Sequence, residues 1–189
     1  MTRPKTWLVS DIWSDLTLIL AYWKRPPTLR NVLWALFACD GFVLLSMFRT
    51  RQWLRRHHIP VAGRLIRMLE TMFFAVEIAV DAELGRGVLF MHTVGTVVGS
   101  GSSIGDGCIL LGNNTFGSNE QGGAPSIGAH TIIGAGVRVL GAVRVGERCA
   151  LGANAVVLSD IPDGKIAVGI PARVIKDNPA ASNTAVVER

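Results

Sequence analysis

From Leu84 to Val157 an aliphatic or aromatic residue recurs about every six positions: Leu84, Phe90, Val98, Ile104, Leu110, Phe116, Ile127, Ile133, Val139, Val145, Leu151 and Val157. Glycine follows many of them, as in Val98-Gly99, Ile104-Gly105, Ile127-Gly128 and Leu151-Gly152. A helix turning by about 100° per residue would scatter a six-residue repeat around its axis. Short flat strands joined by tight corners fit it instead, one apolar side chain per side pointing inward and glycine supplying the unusual backbone angles. Taken three sides to a turn, the twelve positions predict four coils. At about 4.8 Å per strand the column stands about 19 Å tall.

Two departures from the period mark where chemistry is expected, because bulges and excursions on a regular scaffold commonly carry it. The step from Phe90 to Val98 is eight residues and the extra pair falls beside His92; the step from Phe116 to Ile127 is eleven and leaves a projecting loop at 118–125. Past Val157 the chain leaves the repeat. The run Gly169-Ile170-Pro171-Ala172-Arg173 then closes the end, and from Asp177 the small polar composition predicts a loose tail.

Ahead of the column the apolar spacing turns helical. A first run, with Ser10 as a candidate cap, reaches Tyr22-Trp23 and is stopped by Pro26-Pro27; a second spans about Leu29 to Leu54; a third spans Ala62 to Val76, with Leu65, Ile66, Leu69, Met72, Phe73 and Val76 three and four apart as if packed on a core. The mostly apolar stretch Asn31 to Phe48 is long enough to test as a membrane span. Asp40 at its centre would cost about 3 kcal/mol to insert, so a packed or interfacial helix is expected.

Charge changes this picture at one place. Residues 1–70 hold eleven Lys and Arg against four Asp and Glu, and the remainder eight against ten, so the net +5 belongs to the N-terminal third. No nucleic-acid motif accompanies it, and an anionic membrane surface is the better partner. The dense run Arg49 to His58 fits either a solvated helix end or a belt on acidic headgroups. Charged residues are only 17% of the chain and mean hydropathy is +0.38, as valine- and isoleucine-rich coils require. Cys39, Cys108 and Cys149 lack metal-ligand spacing and read as small buried hydrophobes in a reducing compartment. The N-terminus shows no secretory signal pattern.

Taking a proton near neutral pH suits histidine, with a carboxylate to orient its ring. His92, on the register break, and Glu77, fifteen positions upstream, are the candidates. His130 has neither feature and reads as surface, as do His57 and His58. Arg138 and Arg144, six apart, are expected to stack on one outer face. The residues two beyond Phe90, Leu110, Ile133 and Leu151 are His92, Gly112, Ala135 and Ala153. Stacked in line, they would leave a shallow groove for a long, thin ligand.

These features resemble the hexapeptide-repeat acyltransferases, specifically the serine acetyltransferase-like branch that includes acetyltransferases of colanic-acid-type polysaccharide assembly. The members' Asp-Ile-His-Pro, Gly-Arg-Gly and Asp-His-Ala-Thr-Gly segments correspond at the same separations to Glu77-Ile78-Ala79-Val80, Gly85-Arg86-Gly87 and Met91-His92-Thr93-Val94-Gly95, and their Gly-[Val/Ile]-Pro-Ala-Arg signature to residues 169–173. The resemblance implies a left-handed parallel β-helix, a hand that the general right-handed crossover rule would not suggest. It also implies acetyl-CoA as donor, no metal, and a homotrimer with sites between columns. Ala135 and Ala153 match main-chain coenzyme A contacts, and Gly117 matches a position near the thioester, an oxyanion-donor candidate. Arg173 and Lys176 fall near the nucleotide end. Met91 replaces the aspartate before the histidine, and Gly123-Ala124-Pro125 replaces an Arg-His-Pro, so groups that recognise a free amino acid are absent.

The expectation is therefore a mainly β chain: an α-helical region over 1–76, a left-handed parallel β-helix of about four coils over 77–176, and a tail over 177–189. The expected activity is acetyl-CoA-dependent O-acetylation of a sugar hydroxyl on a bacterial polysaccharide or lipid-linked oligosaccharide precursor. The expected location is cytoplasmic, with peripheral inner-membrane contact through the basic helices. A serine O-acetyltransferase and a non-enzymatic membrane scaffold are the alternatives.

Overall fold

The computed structural model describes residues 8–182. Trp7, in the first helical run, and residues 183–189 of the expected tail lie outside the described residues. Four helices precede the column: α1 (Leu8–Tyr22), α2 (Leu29–Ala38), α3 (Asp40–Arg56) and α4 (Pro60–Phe74).

Three parallel ladders then stack one short strand per coil. The first side holds β1 (Glu77–Ile78), β4 (Val97–Val98), β7 (Thr115–Gly117), β10 (Arg138–Leu140) and β13 (Val156–Val157). The second holds β2 (Glu83–Leu84), β5 (Ser103–Ile104), β8 (Ser126–Ile127) and β11 (Arg144–Val145). The third holds β3 (Leu89–Phe90), β6 (Ile109–Leu110), β9 (Ile132–Ile133), β12 (Ala150–Leu151) and β14 (Lys165–Val168), on which β15 (Arg173–Asp177) folds back antiparallel.

Register stacks like on like. Val98, Phe116, Val139 and Val157 form one inward column, Leu84, Ile104, Ile127 and Val145 the second, and Phe90, Leu110, Ile133 and Leu151 the third. All twelve repeat positions are buried. Ile78 ahead of them and Ile161 and Ala167 after them extend the columns to five coils, one more than the twelve positions predict, with an isolated bridge at Ile161 in place of a strand on the last coil's second side. Because a coil takes three sides, a six-residue step moves one side round rather than one coil up. Arg138 and Arg144 therefore do not share a face: they stand on the first and second sides.

Neighbouring coils exchange main-chain bonds in both directions, as in Ala79 N to Val98 O (2.8 Å) and Gly107 N to Arg86 O (2.8 Å). The carbonyls on the first coil's outer edge have no preceding coil to accept from, and buried carbonyls left unpaired are costly. Helix α3 supplies the donors. Arg49 donates to Leu84 O (2.8 Å) and Gly85 O (2.6 Å), Arg51 to Ile78 O (2.7 Å), and Gln52 to Ala82 O (3.0 Å).

This arrangement overturns the solvated or lipid-facing reading of two cations in the basic run. Arg49 is 5% exposed and bonded to Asp15 at 2.9 Å; Arg51 is 3% exposed and paired with Glu70 at 3.0 Å. His57, His58 and His130 are exposed as expected. The expected single helix from Leu29 to Leu54 is also corrected, since α2 and α3 meet at an 86° bend at Cys39. The bend lets Gly41 press on the first coil, where a Cβ would lie 2.3 Å from Phe90 O. Among the described residues no single helix is long and apolar enough to cross a membrane; only the bent pair α2 and α3 reaches that length and composition.

Core packing of the third helical run is corrected as well. Leu65, Met72 and Phe73 on α4 are 56%, 68% and 71% exposed, and the buried residue of the helix is Glu70. Its inward contact is an ion pair rather than the apolar stripe. The three cysteines are free and buried, and burial pushes the Cys108 thiol up to about 12.

Burial raises the Glu70 carboxyl above its usual range, only partly offset by Arg51. The native state thus holds that proton more tightly than the unfolded chain does, and Glu70's contribution to stability falls as pH rises from about 4.3 through the raised native value. Urea unfolding across this window should show that decline in the wild type and lose it in Glu70→Gln. Arg51→Met, which leaves Glu70 unpaired and Ile78 O uncapped, should cost about 3–5 kcal/mol.

Candidate active site

His92 leaves β3 at the corner between the third and first sides, and its side chain is exposed. The two extra residues of the eight-residue step are absorbed by a turn in which Thr96 N donates to Thr93 O (3.2 Å). Gly95 N donates to Ala75 O (2.9 Å) and Glu77 N to Thr96 O (3.0 Å). This turn ties the His92 loop to the segment that delivers Glu77, so both residues border one corner.

They are not joined there. Among the described residues the His92 ring has no hydrogen-bond partner, and the Glu77 carboxylate faces Arg67 of α4 at 3.8 Å, with both of those side chains more than half exposed. The spacing of carboxylate and histidine was legible in the sequence. The competing cation was not, because the spacing does not say which face of α4 turns to β1; its one signal is Arg64 and Arg67 three apart in a mostly apolar run.

The line of small residues is present. Pairing of Phe90, Leu110, Ile133 and Leu151 puts His92, Gly112, Ala135 and Ala153 in register, and Gly112 packs directly under His92, where a Cβ would lie 2.9 Å from His92 Cβ. Ladder bonds run along it, from Gly136 N to Gly112 O and from Asn154 N to Ala135 O. Pairing of Leu151 with Ala167 extends the line to Gly169, which the sequence reading did not include. Arg173 and Lys176 lie on β15 beside that end, both exposed. Gly117 closes β7 on the first side, off this line, with open space above its Cα. Among the described residues no three His, Cys, Asp or Glu side chains converge as a metal site would need.

Residues 124–159 match the family of the bacterial transferase hexapeptide (six repeats). A serine acetyltransferase of Synechococcus elongatus is 37% identical over 155 residues, covering 80% of this chain and 64% of that protein. One of Helicobacter pylori is 34% identical over 158 residues, covering 80% of this chain and 91% of the relative. The chain belongs to the serine acetyltransferase family. A serine acetyltransferase of Brucella abortus solved in complex with coenzyme A superposes with a TM-score of 0.79 at 25% identity, over 89% of this chain and 68% of that one.

Membership establishes the acyltransferase class and the left-handed β-helix. It sets aside the non-enzymatic scaffold and corrects the expected acceptor: relatives matching four fifths of the chain are named serine acetyltransferases, which overturns the sugar-hydroxyl reading. The departures at Met91 and Gly123-Ala124 therefore cannot carry the argument against serine. The match spans slightly under two thirds of the Synechococcus relative's own length.

Gly112 combines a φ of +108° with the close approach to His92. Gly112→Ala should lower stability by about 1 kcal/mol or more through backbone strain alone. It should also displace His92, read as a shifted imidazole resonance by NMR alongside a lower urea midpoint.

Proposed function

We propose that the chain transfers the acetyl group of acetyl-CoA to the hydroxyl of L-serine, releasing coenzyme A and O-acetyl-L-serine. The observation that carries this reading is the match to named serine acetyltransferases over 80% of the chain, including one matched over 91% of its own length.

In this reading His92 takes the hydroxyl proton as the serine oxygen attacks the thioester carbonyl carbon. The tetrahedral intermediate then collapses, the carbon–sulfur bond breaks, and the imidazolium returns the proton to the departing thiolate. Glu77 orients the ring once it turns from Arg67. The pantetheine arm lies along Gly112, Ala135 and Ala153, with the nucleotide end near Arg173 and Lys176. Gly117 faces the thioester from a neighbouring column of a homotrimer, an arrangement consistent with its open Cα and with the exposure of His92 on a single column. Residues 77–176 form the acyltransferase domain and 1–76 its helical cap, in keeping with the change from helix to strand at Glu77.

Incubation with acetyl-CoA and L-serine should release coenzyme A and yield O-acetylserine by mass spectrometry. Release no faster in the presence of serine than in its absence would remove this acceptor. His92→Ala should lower kcat by roughly a hundredfold to ten-thousandfold, and Glu77→Gln by less. Ala135→Trp, which fills the groove, should raise KM for acetyl-CoA and leave KM for serine in place.

A further inference from the structure

A cavity of about 580 Å³ opens between α3, α4 and the first coil. Arg51, Arg55, Arg64 and Arg67 line it, against the single carboxylate of Glu77, while Ile59 and Ile78 give it apolar wall. Its volume falls in the range of small-molecule sites, roughly 300–1,000 Å³.

Its charge is unbalanced. Arg51 is occupied by buried Glu70 and the Ile78 carbonyl. Arg64 has no hydrogen-bond or ion-pair partner among the described residues, and Arg67 has only the exposed Glu77 at 3.8 Å, a separation and exposure at which an ion pair contributes little. Guanidinium groups left this free suit a planar carboxylate, which they can grip through two parallel N–H donors.

The cavity's position adds a second argument. The line of small residues starts at His92 and runs away towards Gly169 at the far end of the column. A ligand laid along it leaves the Glu77 side of the corner as the approach for a second reactant, and Glu77 is shared by the cavity and that corner.

We infer that this cavity is the subsite for the acceptor's carboxylate. Arg64 and Arg67 hold the carboxylate while the acceptor's hydroxyl reaches the His92 corner. Engaging Arg67 also releases Glu77 from its present partner, so acceptor binding and assembly of the His92–Glu77 pair are one event. Arg64 and Arg67 are thus specificity-determining residues. The identity of the acceptor rests on the serine reading; the carboxylate chemistry of the cavity does not.

The test uses the full chain, with Arg64→Gln and Arg67→Gln checked for folding by circular dichroism. At saturating acetyl-CoA each variant should raise KM for L-serine by roughly tenfold to a hundredfold, the loss expected for a charged hydrogen bond, with KM for acetyl-CoA unmoved. Arg67→Lys should recover part of the loss. Arg144→Gln, on the second side, should match the wild type. Ethanolamine keeps the hydroxyl and amine but lacks the carboxylate, and it should not distinguish wild type from variants. Calorimetric titration with L-serine and with glycerate gives a readout without turnover. If the wild type acetylates serine and both variants keep its KM, the subsite is wrong and the acceptor stands. If serine is not acetylated but glycerate binds and both glutamine variants weaken it, the acceptor is wrong and the subsite stands. Binding of neither carboxylate, or binding indifferent to both variants, overturns the inference.

Discussion

The first coil of a parallel stack has no coil before it, so the row of carbonyls on its outer edge must find donors elsewhere in the chain. A buried acceptor without a donor costs about 1–3 kcal/mol. Helix α3 answers the row with Arg49, Arg51 and Gln52, whose donors reach Leu84, Gly85, Ile78 and Ala82. Two of these donors are cations removed from water, which requires counter-charges of their own. Asp15 of α1 and Glu70 of α4 provide them. The helical region is therefore a polar lid bolted to the column, and each ion pair draws one further helix into place.

That lid also shapes the site. Glu70 pins α4 to Arg51, and α4 carries Arg67 to within 3.8 Å of Glu77 on the first strand of the column. The histidine turn is anchored to the same junction through Gly95 and Ala75. His92 is thus connected to the cap of the first coil through a short chain of contacts, although the groove of small residues beneath it belongs entirely to the coils. The groove and the arginine-lined cavity are built by different parts of the chain, one by repetition and one by helix docking. The corner at which they meet is where the hexapeptide period breaks.

The repeat was readable because a six-residue period has one structural solution, and all twelve positions chosen from it are buried. The line from His92 to Ala153 followed from the same arithmetic, since register in a solenoid is set by counting. Counting misled where a side was taken for a coil, as with Arg138 and Arg144. The helices were less legible. Apolar spacing located them, but the stripe of α4 faces outward while its one glutamate faces inward, because burial there serves an ion pair demanded by the column rather than the helix's own amphipathicity.

By itself, then, the sequence determined everything that depends on local period: the coils, their apolar columns, the histidine on the broken step and the small residues stacked below it. Only the tertiary structure decided the fate of the charges. Whether an arginine is solvated, caps a carbonyl or faces an exposed carboxylate depends on which distant groups surround it. Arg49, Arg51 and Arg67 look alike in the chain, and docking of α3 and α4 on the first coil gave them three different environments.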